Sequence, residues 1–115
     1  MTESNNHINY IEFKSKDLEE TKLFYSKCFK WEFTDYGPNY IAFSNSGLEG
    51  GFEKTEGDIV NGVLVVLYHA NLEEAIQTVL KCGGKISKDI FSFPGGRRFE
   101  FLDPSGNELA VWTHV

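Results

Sequence analysis

At 115 residues, 41% hydrophobic and 24% charged, the chain is long enough for one compact domain with a buried core, which excludes a disordered protein. Its net charge of −6 argues against nucleic acid as a partner, because phosphate binding needs a basic face. No apolar run approaches the roughly 18 residues of a membrane span and the start MTESNNHINY is polar, so we expect no membrane segment and no signal peptide, and the two cysteines indicate reduced thiols in the cytoplasm.

The first half of the chain predicts a strand, a helix and three further strands. Asp17–Cys28 (DLEETKLFYSKC) is the predicted helix, because Asp17 is a suitable N-cap. Glu19 and Glu20 place negative charge at the positive helix start. The strand-like runs, bounded by turn residues, are INYIEFKS before the helix and KWEFTDY, NYIAFSN and LEGGFEK after it.

The second half predicts the same order of elements. Asn71–Cys82 (NLEEAIQTVLKC) is a predicted helix with Asn71 as its N-cap, and Gly83 and Gly84 end it. The strand-like runs are VLVVLYH before this helix and GKISKDI, RRFEFLD and NELAVWT after it. We expect a longer loop around FSFPGG, between the second and third of these runs.

An internal repeat relates the two halves. The helix Asp17–Cys28 lies over Asn71–Cys82 at an offset of 54, and SNSGLEGGF lies over DPSGNELAV at an offset of 59. The chain therefore predicts an α+β fold of two βαβββ modules. Module one covers about 7–56 and module two about 60–115, within a single domain of residues 1–115.

Two segments resemble the vicinal oxygen chelate superfamily, which contains glyoxalase I, extradiol dioxygenases, and fosfomycin- and bleomycin-resistance proteins. They are KDLEETKLFYSKCFKWEF and RRFEFLDPSGNELAVW, and the Asp-Pro-x-Gly-Asn turn of the second is the more specific. The resemblance implies two glyoxalase-like modules whose sheets curl around a cup-shaped cavity, with the helices outside. It also implies a homodimer. It does not choose a reaction, because this fold serves both enzymes and binding proteins.

In metal-dependent members of that superfamily, the resemblance places metal ligands on the first and last strands of each module. The corresponding residues here are Tyr10, Gly51, Leu64 and Ala110. Because glycine, leucine and alanine offer no side-chain donor, we expect no metal and no other cofactor. The histidines do not replace them: His7 and His69 have the wrong strand parity, and His114 lies at the chain end.

Strand alternation places further polar and aromatic residues on the same face as those four positions. Glu12 and Glu108 are candidate catalytic bases or cation ligands. The predicted ligand-binding residues are Tyr10, Leu64, Tyr68, Arg98, Glu100, Ala110 and Trp112. Together they predict an aromatic-walled pocket with a few converging polar groups. The alternative is that Arg98 pairs with a neighbouring glutamate and that these strands only close the barrel.

Two other features carry weaker functional readings. Cys28 and Cys82 occupy equivalent helix ends and are read as buried small thiols rather than nucleophiles. The segment PGGRR (94–98) is either an anion-binding loop or a flexible lid hairpin.

The sequence therefore predicts a small-molecule-binding protein that lacks the usual metal site and sequesters a cationic or aromatic ligand. The alternative is a lyase or isomerase that resembles glyoxalase, either metal-free with a glutamate base or with displaced metal ligands. A purely structural or partner-binding domain is the third hypothesis.

Overall fold

The computed structural model describes residues 4–114, which divide into two compact units between Gly57 and Asp58. Both units have the element order βαβββ, which confirms the predicted α+β fold with two modules. The elements of module one are β1 (Ile11–Ser15), α1 (Leu18–Phe29), β2 (Glu32–Asp35), β3 (Tyr40–Ser44) and β4 (Gly50–Lys54). Those of module two are β5 (Val65–Tyr68), α2 (Leu72–Lys81), β6 (Lys85–Phe93), β7 (Gly96–Leu102) and β8 (Glu108–Thr113).

Each module forms one four-stranded mixed sheet. The strand orders are β1-β4-β3-β2 and β5-β8-β7-β6, and in both sheets the first strand runs parallel to the last. Glu12 pairs with Gly51 in module one, and Val66 pairs with Ala110 in module two. Glu12 and Val66 are 54 positions apart, and Gly51 and Ala110 are 59 positions apart, as in the sequence repeat. The strand pairings of the two modules therefore follow the repeat.

The predicted helix caps are confirmed in both modules. The Asp17 side chain accepts a hydrogen bond from the Glu20 amide at 3.1 Å, and Asn71 accepts one from the Glu74 amide at 3.0 Å. Each bond satisfies a backbone donor that has no partner within the first helical turn. Helix α2 ends at Lys81 with Cys82 as its C-cap, and the following Gly83 adopts φ +99°, a conformation that glycine accepts without strain.

The core of each module lies between its helix and one face of its sheet. In module one this core is largely aromatic: Tyr25 stacks on Trp31 with ring centres 4.7 Å apart, and Trp31 stacks on Phe43 at 4.5 Å. In module two, alternate residues of β7 and β8 face this core and are fully buried, namely Phe99, Phe101, Leu109, Val111 and Thr113, while Ala110 is also buried on the opposite face of the sheet. The intervening residues of these strands therefore lie on the face of the sheet away from the helix.

The Asp-Pro-Ser-Gly-Asn turn between β7 and β8 is organised by one carboxylate. Asp103 is buried, and its Oδ1 accepts hydrogen bonds from the amides of Ser105, Gly106 and Asn107 at 2.9–3.0 Å. Its Oδ2 accepts a further bond from the Asn107 side chain at 3.0 Å. The motif is therefore a structural turn that fixes where β8 begins.

The prediction of a longer loop around FSFPGG is wrong. Strand β6 continues to Phe93 and β7 begins at Gly96, so Pro94 and Gly95 alone form the turn. Arg97, read as part of an anion-binding loop or a flexible lid, lies in β7 and pairs with Glu73 at 2.7 Å. The extra length of module two is taken up by a longer hairpin with register shifts in β6.

The first strands begin later than the sequence patterns suggest. Tyr10 immediately precedes β1, and Leu64 immediately precedes β5. Neither helix found within residues 4–114 is long and apolar enough to cross a membrane.

Candidate functional site

The side of the module one sheet away from α1 carries a hydrogen-bonded chain of three side chains. The Tyr40 hydroxyl donates to Glu12 Oε1 at 3.0 Å, and the hydroxyls of Tyr10 and Tyr40 lie 2.7 Å apart. Strand pairing explains the cluster, because Glu12 lies opposite Gly51 on β4 and Tyr40 on β3 lies opposite Glu53, two residues along. The sheet thus brings the predicted Tyr10 and Glu12 together and adds Tyr40.

Gly51 leaves the space that the Tyr40 ring occupies. A Cβ atom at position 51 would lie 2.6 Å from Tyr40 Cζ and 2.7 Å from Cε2, closer than real Cβ atoms approach other atoms. A side chain at position 51 would therefore have to displace the Tyr40 ring. The position that the superfamily resemblance assigns to a metal ligand is filled by a phenol from the neighbouring strand.

Charged side chains extend this cluster along β1 and β4. Lys14 forms an ion pair with Glu53 and lies 3.6 Å from a Glu12 oxygen. Its ammonium pKa is raised, chiefly by the hydrogen bond to Glu53. The two carboxylates and the single ammonium of this cluster leave a net negative charge.

Tyr40 is held in its neutral form. Burial raises the pKa of its phenol well above the ordinary value, and the hydrogen bonds with Tyr10 and Glu12 raise it further. Tyr40 is thus a hydrogen-bond donor across the physiological pH range and does not act as a phenolate there.

In module two, one row of residues crosses all four strands on the side away from α2. The strand pairings Tyr68–Trp112, Trp112–Arg98 and Arg98–Phe91 define this Trp112 row. The ring centres of Tyr68 and Trp112 lie 5.6 Å apart, and the ring of Phe93, two residues beyond Phe91 on β6, has its centre 6.5 Å from that of Trp112. The predicted ligand residues Tyr68, Arg98 and Trp112 are therefore neighbours.

Arg98 is held between aromatic rings and a carboxylate. Its guanidinium carbon lies 5.4 Å from the Phe91 ring centre and 6.0 Å from that of Phe93, and its Nη2 lies 3.1 Å from Glu100. This ion pair is the one that the alternative reading foresaw. The Arg98 Nε is buried and has no hydrogen-bond partner within residues 4–114, so one donor of the guanidinium is unused there.

The remaining predicted residues of module two lie nearby with more ordinary roles. Ala110 is fully buried between Val66 on β5 and Glu100 on β7. Glu108, the first residue of β8, lies two residues before Ala110 and accepts a hydrogen bond from the Ser87 hydroxyl at 2.8 Å. His114, at the other end of β8, contacts Trp112 with ring centres 4.8 Å apart.

The donor set does not fit the metal that the fold family implies. The Gly51 position is filled by Tyr40, and Ala110 and Leu64 supply no donor atoms. Among residues 4–114, no three His, Cys, Asp or Glu side chains group closely enough to hold an ion. We therefore derive no chemistry from a metal at these positions.

A separate open depression of about 430 Å³ lies in module one beside the start of α1, lined in part by Asp17, Asp35 and Lys54. These polar groups already have partners. Asp17 caps the helix, Asp35 pairs with Lys22 at 2.8 Å, and Lys54 pairs with Glu56 at 2.8 Å. The depression therefore presents no polar group that calls for a ligand.

Sequence reasoning missed several members of these clusters. They are Lys14, Tyr40, Glu53, Ser87, Phe91 and Phe93. The signal for Tyr40 lies in the repeat, because the offset of 59 relates Glu53 of module one to Trp112 of module two. In the structure, Tyr40 pairs with Glu53 in the same way that Arg98 pairs with Trp112. Tyr40 is therefore the module one counterpart of the predicted Arg98.

Comparison with known proteins gives a family match over most of the chain. The sequence profile of the Glyoxalase/Bleomycin resistance protein/Dioxygenase superfamily matches residues 7–111. A search of the curated proteins found no match.

Solved structures share the fold at low sequence identity. The fosfomycin resistance protein FosX from Listeria monocytogenes matches with a TM-score of 0.82 and 16% identity, over 97% of this chain and 96% of that chain. A glyoxalase/bleomycin resistance protein/dioxygenase family enzyme from Burkholderia phytofirmans PsJN has a TM-score of 0.81 and 12% identity, over 93% and 98%. TioX from Micromonospora sp. ML1 has a TM-score of 0.73 and 13% identity, over 96% and 100%. At these identities the likeness concerns the fold alone.

Proposed function

The chain belongs to the glyoxalase/bleomycin resistance protein/dioxygenase superfamily, the vicinal oxygen chelate superfamily, and on that premise we propose that it is a small-molecule-binding protein. Its ligand is aromatic or cationic and is held without the usual metal. The Trp112 row of module two carries this proposal.

The Trp112 row offers stacking surface rather than a closed core. Tyr68 is 52% exposed, and Trp112 is only partly buried although it contacts rings on both sides. Aromatic side chains with open faces stack on planar ligands, and the Arg98 guanidinium beside them adds a donor. A face that served packing alone would bury these rings, as it does the rings on the side facing α2.

The charge of the module one cluster supports the cationic part of the proposal. Glu12 and Glu53 share one lysine there, and the chain as a whole carries a net charge of −6. A cation would be attracted to such a surface, whereas an anion would be repelled.

Tryptophan fluorescence tests this proposal, because the two tryptophans lie in different environments. Trp31 is buried in the module one core, and Trp112 belongs to the proposed ligand surface. The W31F variant leaves Trp112 as the only reporter. A panel of planar aromatic cations and neutral aromatic compounds should contain members that change its emission saturably.

The matched control is W112F, in which the same compounds should leave the remaining Trp31 emission unchanged. If no compound of the panel changes the emission of W31F saturably, the proposed function is wrong. A compound that changes the emission of W112F as strongly as that of W31F would also contradict it.

The alternative function, a lyase or isomerase of the glyoxalase type, is favoured by one observation. Glu12 accepts a hydrogen bond from Tyr40, so it is a carboxylate held in a fixed position, as a general base requires. Turnover of an aldehyde or hemithioacetal substrate that is lost in E12Q or in E108Q, with the fold intact by circular dichroism, would establish the enzyme.

The proposal also covers assembly and location. Each sheet ends in strands whose outer edges are unpaired within their module, namely β1, β2, β5 and β6, and such edges are suited to pairing between copies. We infer a homodimer in the cytoplasm, consistent with two cysteines in a short acidic chain. Sedimentation equilibrium should give twice the mass of 13.1 kDa.

A further inference from the structure

The two hydrogen bonds that link Tyr10, Tyr40 and Glu12 have a defined donor-to-acceptor direction. Glu12 is a carboxylate and can only accept, so the single hydroxyl proton of Tyr40 is committed to it at 3.0 Å. Tyr40 then has no proton left for its 2.7 Å contact with Tyr10. Tyr10 must therefore be the donor in that contact.

The direction of the chain fixes what Tyr10 can offer to a ligand. Once its proton points to Tyr40, the Tyr10 oxygen retains only lone pairs and can only accept a further hydrogen bond. The Glu12 carboxylate at the far end polarises both phenols in the same sense, because chained hydrogen bonds reinforce one another. Tyr10 is 45% exposed, so a ligand can approach its side chain, whereas Tyr40 is only partly exposed.

Two structural features keep the direction from reversing. Gly51 lets the Tyr40 ring lie over β4 and within reach of Glu12, and a side chain at that position would push it away. Burial and both hydrogen bonds keep the Tyr40 phenol neutral, so it stays a donor toward Glu12. The acceptor character of Tyr10 is thus built into the sheet.

We propose that the Tyr10 oxygen is an acceptor subsite that selects ligands carrying a hydroxyl or ammonium donor and rejects anionic groups. This inference rests on the proposed small-molecule-binding function and concerns module one alone, where it names the polar group that a ligand presents to Tyr10. Tyr40 and Glu12 are positioning residues in it, because they act on the ligand through Tyr10.

The probe for this subsite is 4-nitrophenol, since its neutral form is a hydroxyl donor and its anion is not, and the two absorb at different wavelengths. Saturating protein should bind the neutral form about tenfold more tightly than the anion. It should therefore raise the pH at which the probe ionises by about one unit. Y10F removes the acceptor oxygen, and Y40F disconnects Tyr10 from Glu12, so both variants should abolish the shift.

Y36F is the matched control, because Tyr36 is an exposed tyrosine of the same module that does not belong to the hydrogen-bonded series Tyr10–Tyr40–Glu12. It should leave the shift intact. Circular dichroism and thermal melting of all three variants establish that they fold.

Three results would overturn the inference. They are preferential binding of the nitrophenolate anion, a neutral-form preference that survives in Y10F, and the absence of any saturable effect on the probe. None of these results changes the outcome of the Trp112 fluorescence test. The acceptor subsite can therefore be disproved while ligand binding on module two is still supported. If the W31F reporter fails as well, the binding function itself is wrong.

Discussion

At the residue scale, Tyr40 and Gly51 are matched in size, because the Tyr40 ring occupies the space that the missing side chain of Gly51 leaves. The tyrosine ring lies where any larger residue at position 51 would place its Cβ, and its hydroxyl reaches Glu12 from there. A larger residue at position 51 would therefore act on this cluster through its contact with the Tyr40 ring.

Gly51→Ala should destabilise the chain by about 1–3 kcal/mol, because the added methyl group forces the Tyr40 ring out of its place. In a Tyr40→Ala background the same change should cost much less. Urea unfolding of the two single variants and the double variant measures this coupling. If the two effects simply add, the close contact is not what makes glycine necessary.

The raised pKa of Tyr40 predicts how stability depends on alkaline pH. An unfolded tyrosine ionises near pH ~10, whereas Tyr40 in the folded chain keeps its proton to higher pH. The folded state then binds more protons than the unfolded state. The free energy of unfolding should therefore fall as pH rises above 10, by at most about 1.4 kcal/mol per unit from this group.

The measurement is urea unfolding between pH 9 and 11.5 on the wild type, Y40F, E12Q and Y36F. Y40F should lose this component of the slope, E12Q should reduce it, and Y36F should keep it. A Y40F slope equal to that of the wild type would show that Tyr40 ionises as readily in the folded chain as in the unfolded one.

At the scale of elements, four hydrogen bonds to a single side chain, that of Asp103, hold the turn between β7 and β8. Asp103 accepts from three consecutive amides and from Asn107, and it is buried. The start of β8, and so the register that sets Ala110 and Trp112 opposite Glu100 and Arg98, depends on this carboxylate.

Asp103→Ala should destabilise the chain by about 2 kcal/mol or more, because several amides lose an acceptor in a buried place. Asp103→Asn should cost less, since one side-chain oxygen can still accept from the backbone amides, although the new amino group faces the side-chain amino group of Asn107, which is also a donor. Thermal melting of both variants tests the order. Equal stability of the alanine and asparagine variants would contradict it.

The repeat predicted elements better than it predicted side-chain neighbours. Offsets of 54 and 59 gave both helices, their caps and the order of the elements in each module, because these depend on local sequence and on alternation. The FSFPGG hairpin was missed since Pro-Gly indicates a turn without telling how far the strands extend around it. Tyr40 was missed because its contact with Glu12 crosses three strands, which no local pattern encodes.

At the scale of the whole molecule, the modules share a backbone plan but carry different side chains. The pair Glu12–Gly51 in module one stands where module two has Val66–Ala110, and the partner of Gly51 on β3 is Ala42 where module two has Glu100. Neither module retains the donors of a metal site at these positions, so we expect the protein to function without one.

Elemental analysis of untagged protein, before and after incubation with Ni, Zn, Mn and Fe(II), tests this expectation. Metal should stay well below one ion per chain and should not raise the melting temperature. Incorporation of one ion per chain with a raised melting temperature would mean that ligands other than those of the superfamily pattern hold it.

The parallel pairing of β1 with β4 has a consequence for the order of folding. The strands β2, β3 and β4 follow one another and can pair as hairpins, whereas β1 must wait for a partner that lies beyond the helix and both hairpins. The same holds for β5 and β8. In each module the first strand to leave the ribosome is thus the last to dock, and its amides should be the last of the sheet to gain protection from hydrogen exchange during refolding.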